Sequence, residues 1–352
     1  MRNVNPLTAW LLCALAGGLL GCQKDATEWR AEPLTLADQF DVPMGAEVGG
    51  DGMVYISNIQ TDQDDGYWTA DAAGFISRLA SDGRVLDPRW ADSNPITFLN
   101  APKGMCVLDE YLYVADINHV VRYRLGDPST GQEIAIPNAK DLLDVTSDGQ
   151  AIYVSDGGAA RIHRIDPRSL EVTWIAAPAR VAGIVYYPAE GAIYAASVQD
   201  HDIYKLDPAG NIPPVPLGLG DYLQRPASLA VLSDGSLVVA DYDANHLLLV
   251  SPDRTSVREL AKIDSPGIIG LDAQRALLYV PQLMSNRVTV FQLVTRQVEQ
   301  AGNTDVWDAR PAAPPAPSGG LALPPAERPF GSAPPQEESL WDVPAALPMP
   351  AK

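Results

Sequence analysis

Ile152-Tyr153-Val154-Ser155-Asp156 is the stretch that decides the fold, because its order of apolar, aromatic, apolar, small and polar residues returns along the chain. The same order, with small variations, is found in Val54-Tyr55-Ile56-Ser57-Asn58, Leu112-Tyr113-Val114-Ala115-Asp116, Ile193-Tyr194-Ala195-Ala196-Ser197, Leu237-Val238-Val239-Ala240-Asp241 and Leu278-Tyr279-Val280-Pro281-Gln282. The second residues of the runs fall at positions 55, 113, 153, 194, 238 and 279, so the intervals are 58, 40, 41, 44 and 41. Short β-type runs repeating near 40 residues predict an all-β, six-bladed β-propeller with four-stranded antiparallel blades. The long first interval is an insertion, Gln60 to Gly74.

Turn chemistry inside the units agrees. Asp148-Gly149 and Asp234-Gly235 precede their runs and supply the positive φ that a tight hairpin needs. Third strands such as Arg161 to Ile165 and Ile203 to Leu206 follow, and turns through Asp166-Pro167 and Asp207-Pro208 lead outward. Short strands leave edges exposed unless they stack around a ring, so one closed domain over 34–308 is expected rather than two halves. The sixth unit runs out of strand sequence near Val294, which predicts that Leu34 to Val42 supplies its missing strand. Residues 309–352 are rich in proline, as in Ala313-Pro314-Pro315-Ala316-Pro317, and are expected to be disordered.

The ends of the chain carry an address. Arg2 precedes the apolar run Leu11 to Leu20, too short for a membrane span and suited to a cleaved signal peptide over 1–21. Leu19-Leu20-Gly21-Cys22 resembles the bacterial lipobox, which implies lipidation of Cys22. Residues 22–33 would then be a short linker to a membrane. Gln23 after the cysteine implies, by the same resemblance, the outer membrane of the cell envelope on its periplasmic or surface face. The formal net charge of −19 excludes a nucleic-acid binder relying on bulk charge. Of three cysteines only Cys106 remains in the folded part, in the apolar run Gly104-Met105-Cys106-Val107-Leu108, where a buried inert thiol is expected.

Gly74 to Gly83, Leu99-Asn100-Ala101-Pro102-Lys103-Gly104-Met105 and Leu112 to Asp116 together resemble the gluconolactonase/regucalcin-like superfamily of the calcium-dependent phosphotriesterase type. Asn286-Arg287-Val288-Thr289-Val290-Phe291 is similar to an NHL repeat. The superfamily resemblance covers roughly 34–294 and implies one divalent cation, Ca²⁺ or another, held at the channel mouth by a Glu, an Asn and an Asp. On that likeness Glu47 stands where the Glu belongs, and Asn138 or Asp141 could give a second ligand. The fifth unit departs from the pattern, because Arg225-Pro226-Ala227-Ser228-Leu229 lacks the expected Asp. Calcium needs several converging oxygens, and cations at the mouth would compete with it.

Those cations are Lys103, Arg180 and Arg225, expected beside Glu47 and Asp141 in one mixed ring that binds a small molecule or a peptide. Asn58, Asp116, Asp156 and Asp241 end the second strands and are carried as ligand contacts against a turn-capping role. His119, His201 and His246 sit at equivalent entries on separate blades, where they diverge. Tyr67 and Trp68 follow the acidic stretch Asp62 to Asp65, which fails as an EF-hand because Thr61 and Ala72 occupy its key positions. Both aromatics are expected on the face of Glu47. The functional expectation is a membrane-anchored, non-catalytic binding platform for a small molecule or partner protein. Its alternative is a divalent-metal-dependent lactonase or esterase.

Overall fold

The computed structural model describes residues 27–61, 66–94 and 97–297. The signal segment, Cys22, Asp62 to Asp65 and the proline-rich tail lie outside the described residues. Among the described residues no helix is long and apolar enough to cross a membrane.

Six four-stranded antiparallel sheets follow one another around a ring. The inner strands are Pro43–Val48, Met105–Leu108, Leu142–Ser147, Val181–Tyr187, Pro226–Val231 and Gly270–Asp272. The signature runs are the second strands, Val54–Asn58, Tyr111–Asp116, Ile152–Asp156, Ala192–Ser197, Leu237–Asp241 and Leu277–Gln282. Their alternating side chains enter the spaces between neighbouring sheets, which is why the aromatic at the second position recurs. Tyr55, Tyr113, Tyr153, Tyr194 and Tyr279 are all buried. Each space forms its own apolar core, for example Tyr55, Trp90, Leu112 and Tyr123 between the first two blades.

The last sheet is completed by the start of the chain. Its order places the strand Thr27–Ala37 beside Arg287–Gln297, followed by Leu277–Gln282 and Gly270–Asp272. The expectation of such closure holds, but the strand begins at Thr27, within the segment read as linker, and stops at Ala37 rather than Val42. Asp38 to Val42 instead turn toward the first inner strand, where Asn286 Oδ1 accepts the Val42 N–H at 2.8 Å. The main body of contacts runs from Arg30 to Val294. The described residues beyond it, Thr27–Trp29 and Thr295–Gln297, are strand ends.

The inner strands approach too closely for ordinary side chains at one level. A Cβ on Gly183 would lie 2.5 Å from Ser228 Cα and 2.7 Å from Ala227 O of the next blade. Gly45 and Gly104 meet the same obstacle at the equivalent places, so glycine there is required by space rather than by φ.

Candidate functional site

Strand register assigns inner-strand residues to levels along the channel. Opposite the second residue of each signature run stand Glu47, Cys106, Thr146, Val185, Ala230 and Gly270. Three residues earlier in each blade come Met44, Lys103, Leu143, Ala182, Ala227 and Gly267. The inner strands run in one direction, as the parallel bridge between Gly45 and Ile268 shows. The two levels therefore lie toward opposite ends of the channel.

The entry end is plugged. Met44, Leu143, Ala182, Ala227 and Ile268 pack with Val42, Ile59, Tyr67 and Leu283, and Trp68 and Tyr242 lie against them. Lys103 occupies the plug level as its one charged member and is only 1% exposed. Its Nζ donates to Ala101 O at 2.8 Å and sits 4.3 Å from the centre of the Trp68 ring. Burial pushes the ammonium down to about 8, against the fields of Asp116 and Asp141.

The other end opens into a cavity of about 660 Å³. Its walls are apolar for the most part, including Met105, Val145, Val185, Leu229 and Ile269, and Tyr186 and Tyr187 also line it. Glu47 and Asp144 are its acidic residues. Glu47 Oε1 accepts the Val107 N–H at 2.8 Å, and the rest of the side chain is partly open to the cavity. Burial pushes the Glu47 carboxyl up to about 8, with the Val107 bond opposing and the charge of Asp144 adding. Asp144 is 4% exposed. It accepts the N–H groups of Val145 at 2.8 Å and Ile184 at 2.9 Å, and burial raises it to about 7 despite both bonds. Cys106 is buried as expected, and burial with the nearby charges of Glu47 and Asp144 drives its thiol well up, away from the reactive thiolate.

The expected mixed ring is therefore divided. Glu47 lines the cavity, whereas Asp141 belongs to the plugged end, where it lies 3.8 Å from Arg180. Arg225 pairs there with Asp243 at 2.9 Å. Lys103, Arg180 and Arg225 each precede or enter their inner strands, at the end opposite Glu47. Tyr67 and Trp68 likewise face the plug and not Glu47, because the loop from the second to the third strand returns to the entry end. Of Asp141 and Asp144, the two carboxylates that the sequence offers as company for Glu47, only Asp144 lines the cavity, at the register shift between Leu142 and Val145.

Asn58, Asp116, Asp156 and Asp241 are fully buried and work as clasps. Asp116 accepts the N–H groups of Asn100, Ala101 and Ile117, and Asp241 those of Gln224, Arg225 and Ala244. Asp156 accepts those of Lys140, Asp141 and Ala159, together with a bond to His163 Nε2 at 3.0 Å. Asn58 Oδ1 accepts the Asp41 N–H at 3.1 Å. Each clasp ties the end of a second strand to the loop that enters the same blade, so the oxygens are spent on backbone rather than presented to a ligand.

A calcium ion does not fit these residues. It wants six to eight oxygens, yet the level of Glu47 offers otherwise one hydroxyl, a thiol and apolar or absent side chains. Both Asp144 oxygens already take backbone donors, and Ser228 Oγ takes the Ile269 N–H at 3.1 Å. Among the described residues no group of three His, Cys, Asp or Glu side chains is arranged to hold a metal.

The geometry defines a six-bladed β-propeller with a channel open at one end. No family model matches the chain and no curated protein does. Among solved structures, it is similar to a catalytically inactive variant of virginiamycin B lyase from Staphylococcus aureus with quinupristin: TM-score 0.54, 15% identity, covering 76% of this chain and 100% of that one. A streptogramin B lyase gives a TM-score of 0.53 at 13% identity, covering 77% and 98%. A protein provisionally named a gluconolactonase gives 0.55 at 15%, covering 77% and 94%. At such identities the likeness establishes the fold, and the chemistry must be read from the residues.

Proposed function

We propose that the chain is a non-catalytic binding propeller that holds a small molecule in the channel cavity. The observation that carries this reading is the cavity itself, about 660 Å³ in volume, reached from one end and backed by the apolar plug. A space of that size, walled by apolar side chains with a few polar groups, is of the kind that buries small ligands. The metal-dependent lactonase or esterase remains the alternative by resemblance, but the oxygen donors it requires are not gathered around Glu47. The lipobox-like Leu19-Leu20-Gly21-Cys22 supports attachment to the outer membrane through acylated Cys22. A Cys22→Ala chain should then leave the membrane fraction for the soluble one, and retention on the membrane would refute the anchor.

The test of the cavity uses Nile red, a neutral dye that brightens in apolar surroundings. The full mature chain should enhance its fluorescence. Ala230→Phe, which adds a ring at the level of Glu47, should abolish the enhancement while the melting temperature shows a folded protein. Equal enhancement in both, or none in either, would overturn the proposal.

A further inference from the structure

The cavity has an electrostatic character that its volume alone does not convey. Its lining contains two carboxyls, Glu47 and Asp144, and not one Lys, Arg or His. The hydrogen bonds given to these carboxyls come from backbone N–H groups of Val107, Val48, Val145 and Ile184, which carry partial charge only. Charged partners for carboxylates exist in this protein, but the strand register sends Lys103, Arg180 and Arg225 to the plugged end, where Lys103 is buried against Trp68, Arg180 lies by Asp141 and Arg225 by Asp243. A wall of Met105, Val145, Val185, Leu229 and Ile269 completes the surroundings.

We infer that the cavity takes a molecule with an apolar body and a protonated amine, the ammonium directed to the open side of Glu47 with the buried Asp144 behind it. This rests on the reading of the cavity as a small-molecule site. An ammonium brings the countercharge that the lining lacks, and a charge-assisted hydrogen bond in a poorly hydrated space is stronger than a neutral one. An anionic ligand meets two acids and an overall charge of −19. A neutral ligand gains apolar contact alone. The titratable groups facing the ammonium are Glu47, Asp144 and Cys106, with the Tyr186 and Tyr187 phenols also in the lining. Because burial raises both carboxyls, the one bound to an ammonium should lose its proton on binding, which gives the event a signature.

Calorimetry on the full mature chain at pH 7 compares phenethylamine with phenethyl alcohol and phenylacetate, each in two buffers of different protonation enthalpy. The amine should bind at least about tenfold tighter than the alcohol, with phenylacetate giving no heat. Amine binding should release on the order of one proton, and alcohol binding none. Glu47→Gln should bring the amine down to the level of the alcohol. Equal affinity for amine and alcohol without proton release would overturn the ligand class and leave the cavity site standing. Silence from all three probes, together with no Nile red binding, would overturn both. Should Glu47→Gln fail to fold, proton release by the unaltered chain decides the matter by itself.

Discussion

Asp156 and the pair Glu47 and Asp144 are carboxyls enclosed by the same fold, yet they are pushed in opposite directions. Burial raises all three. At Asp156 the His163 bond and the N–H donors of Asp141 and Lys140 outweigh it and hold the carboxyl below its ordinary value. At Glu47 and Asp144 the backbone donors are too few to offset burial, and each ends far above the usual range. The difference teaches that the donors given to a buried acid decide its direction: Asp141, also at the plugged end but without such bonds, is raised by burial. At Asp156, loops wrap back and saturate the oxygens. At the open end, the inner strands offer Glu47 and Asp144 backbone N–H groups alone, and these do not offset burial.

The largest effect should come from breaking the saturated side. Asp156→Ala leaves the Lys140, Asp141 and Ala159 N–H groups and the His163 ring without their acceptor, and should cost about 4 kcal/mol in urea unfolding. A loss under about 1 kcal/mol would show that the clasp is dispensable.

The unsaturated side should announce itself through pH. In the unfolded chain Glu47 ionises near 4.5, whereas in the fold it keeps its proton to about 8. Between those values the folded state binds more protons than the unfolded one, so Glu47 lowers stability as pH rises. The stability present near pH 4.5 is lost progressively toward pH 8, by about 2 kcal/mol after allowance for water in the cavity. Glu47→Gln should flatten that slope, and the histidines contribute equally to both chains. Parallel slopes for the two chains would remove the contrast between the ends of the channel.

The smallest effect concerns Lys103, the charged member of an apolar level. Lys103→Met matches Met44 and Leu143 at equivalent positions and should leave stability unchanged or raise it by about 1 kcal/mol, since a buried charge costs desolvation. A loss above about 2 kcal/mol in the same unfolding experiment would mean that the Trp68 stacking and the Ala101 bond outweigh that cost.

Much of this architecture was legible before any coordinates. The period near 40 and the Asp-Gly turns announced six blades, and the short sixth unit announced a closing strand. The start of that strand at Thr27 was obscured because Thr27 to Pro33 holds two glutamates, an arginine and a proline, the composition of a solvated segment, as suits an outer strand with one side to solvent. The candidate site was legible in part. Glu47 stood out as an acid on an inner strand, but its neighbours depend on strand direction and register. Counting from the signature tyrosines aligns Glu47 with Cys106 and Thr146, and Lys103 with Met44 and Leu143. Sequence adjacency to the blade entries had merged the two levels. Asp144 sits at a register shift that the first, fourth and fifth inner strands share, so its place at the cavity follows from strand pairing rather than from local composition.

The ring joins the first strand made to the last. Asn286 and Val42 are 244 residues apart, and Tyr279 Oη donates to Ser81 O across 198. Contacts of that sequence separation slow folding, because the entropy of a very long loop is lost before any bond repays it. The strand Thr27–Ala37 emerges before its partner Arg287–Gln297 exists, and must stay unpaired until every blade between them has been synthesised. The species that waits is an open arc with two bare sheet edges, the form most prone to pair with a neighbouring chain. Closure thus rests on the contacts of longest sequence separation described here, those whose formation costs the most loop entropy.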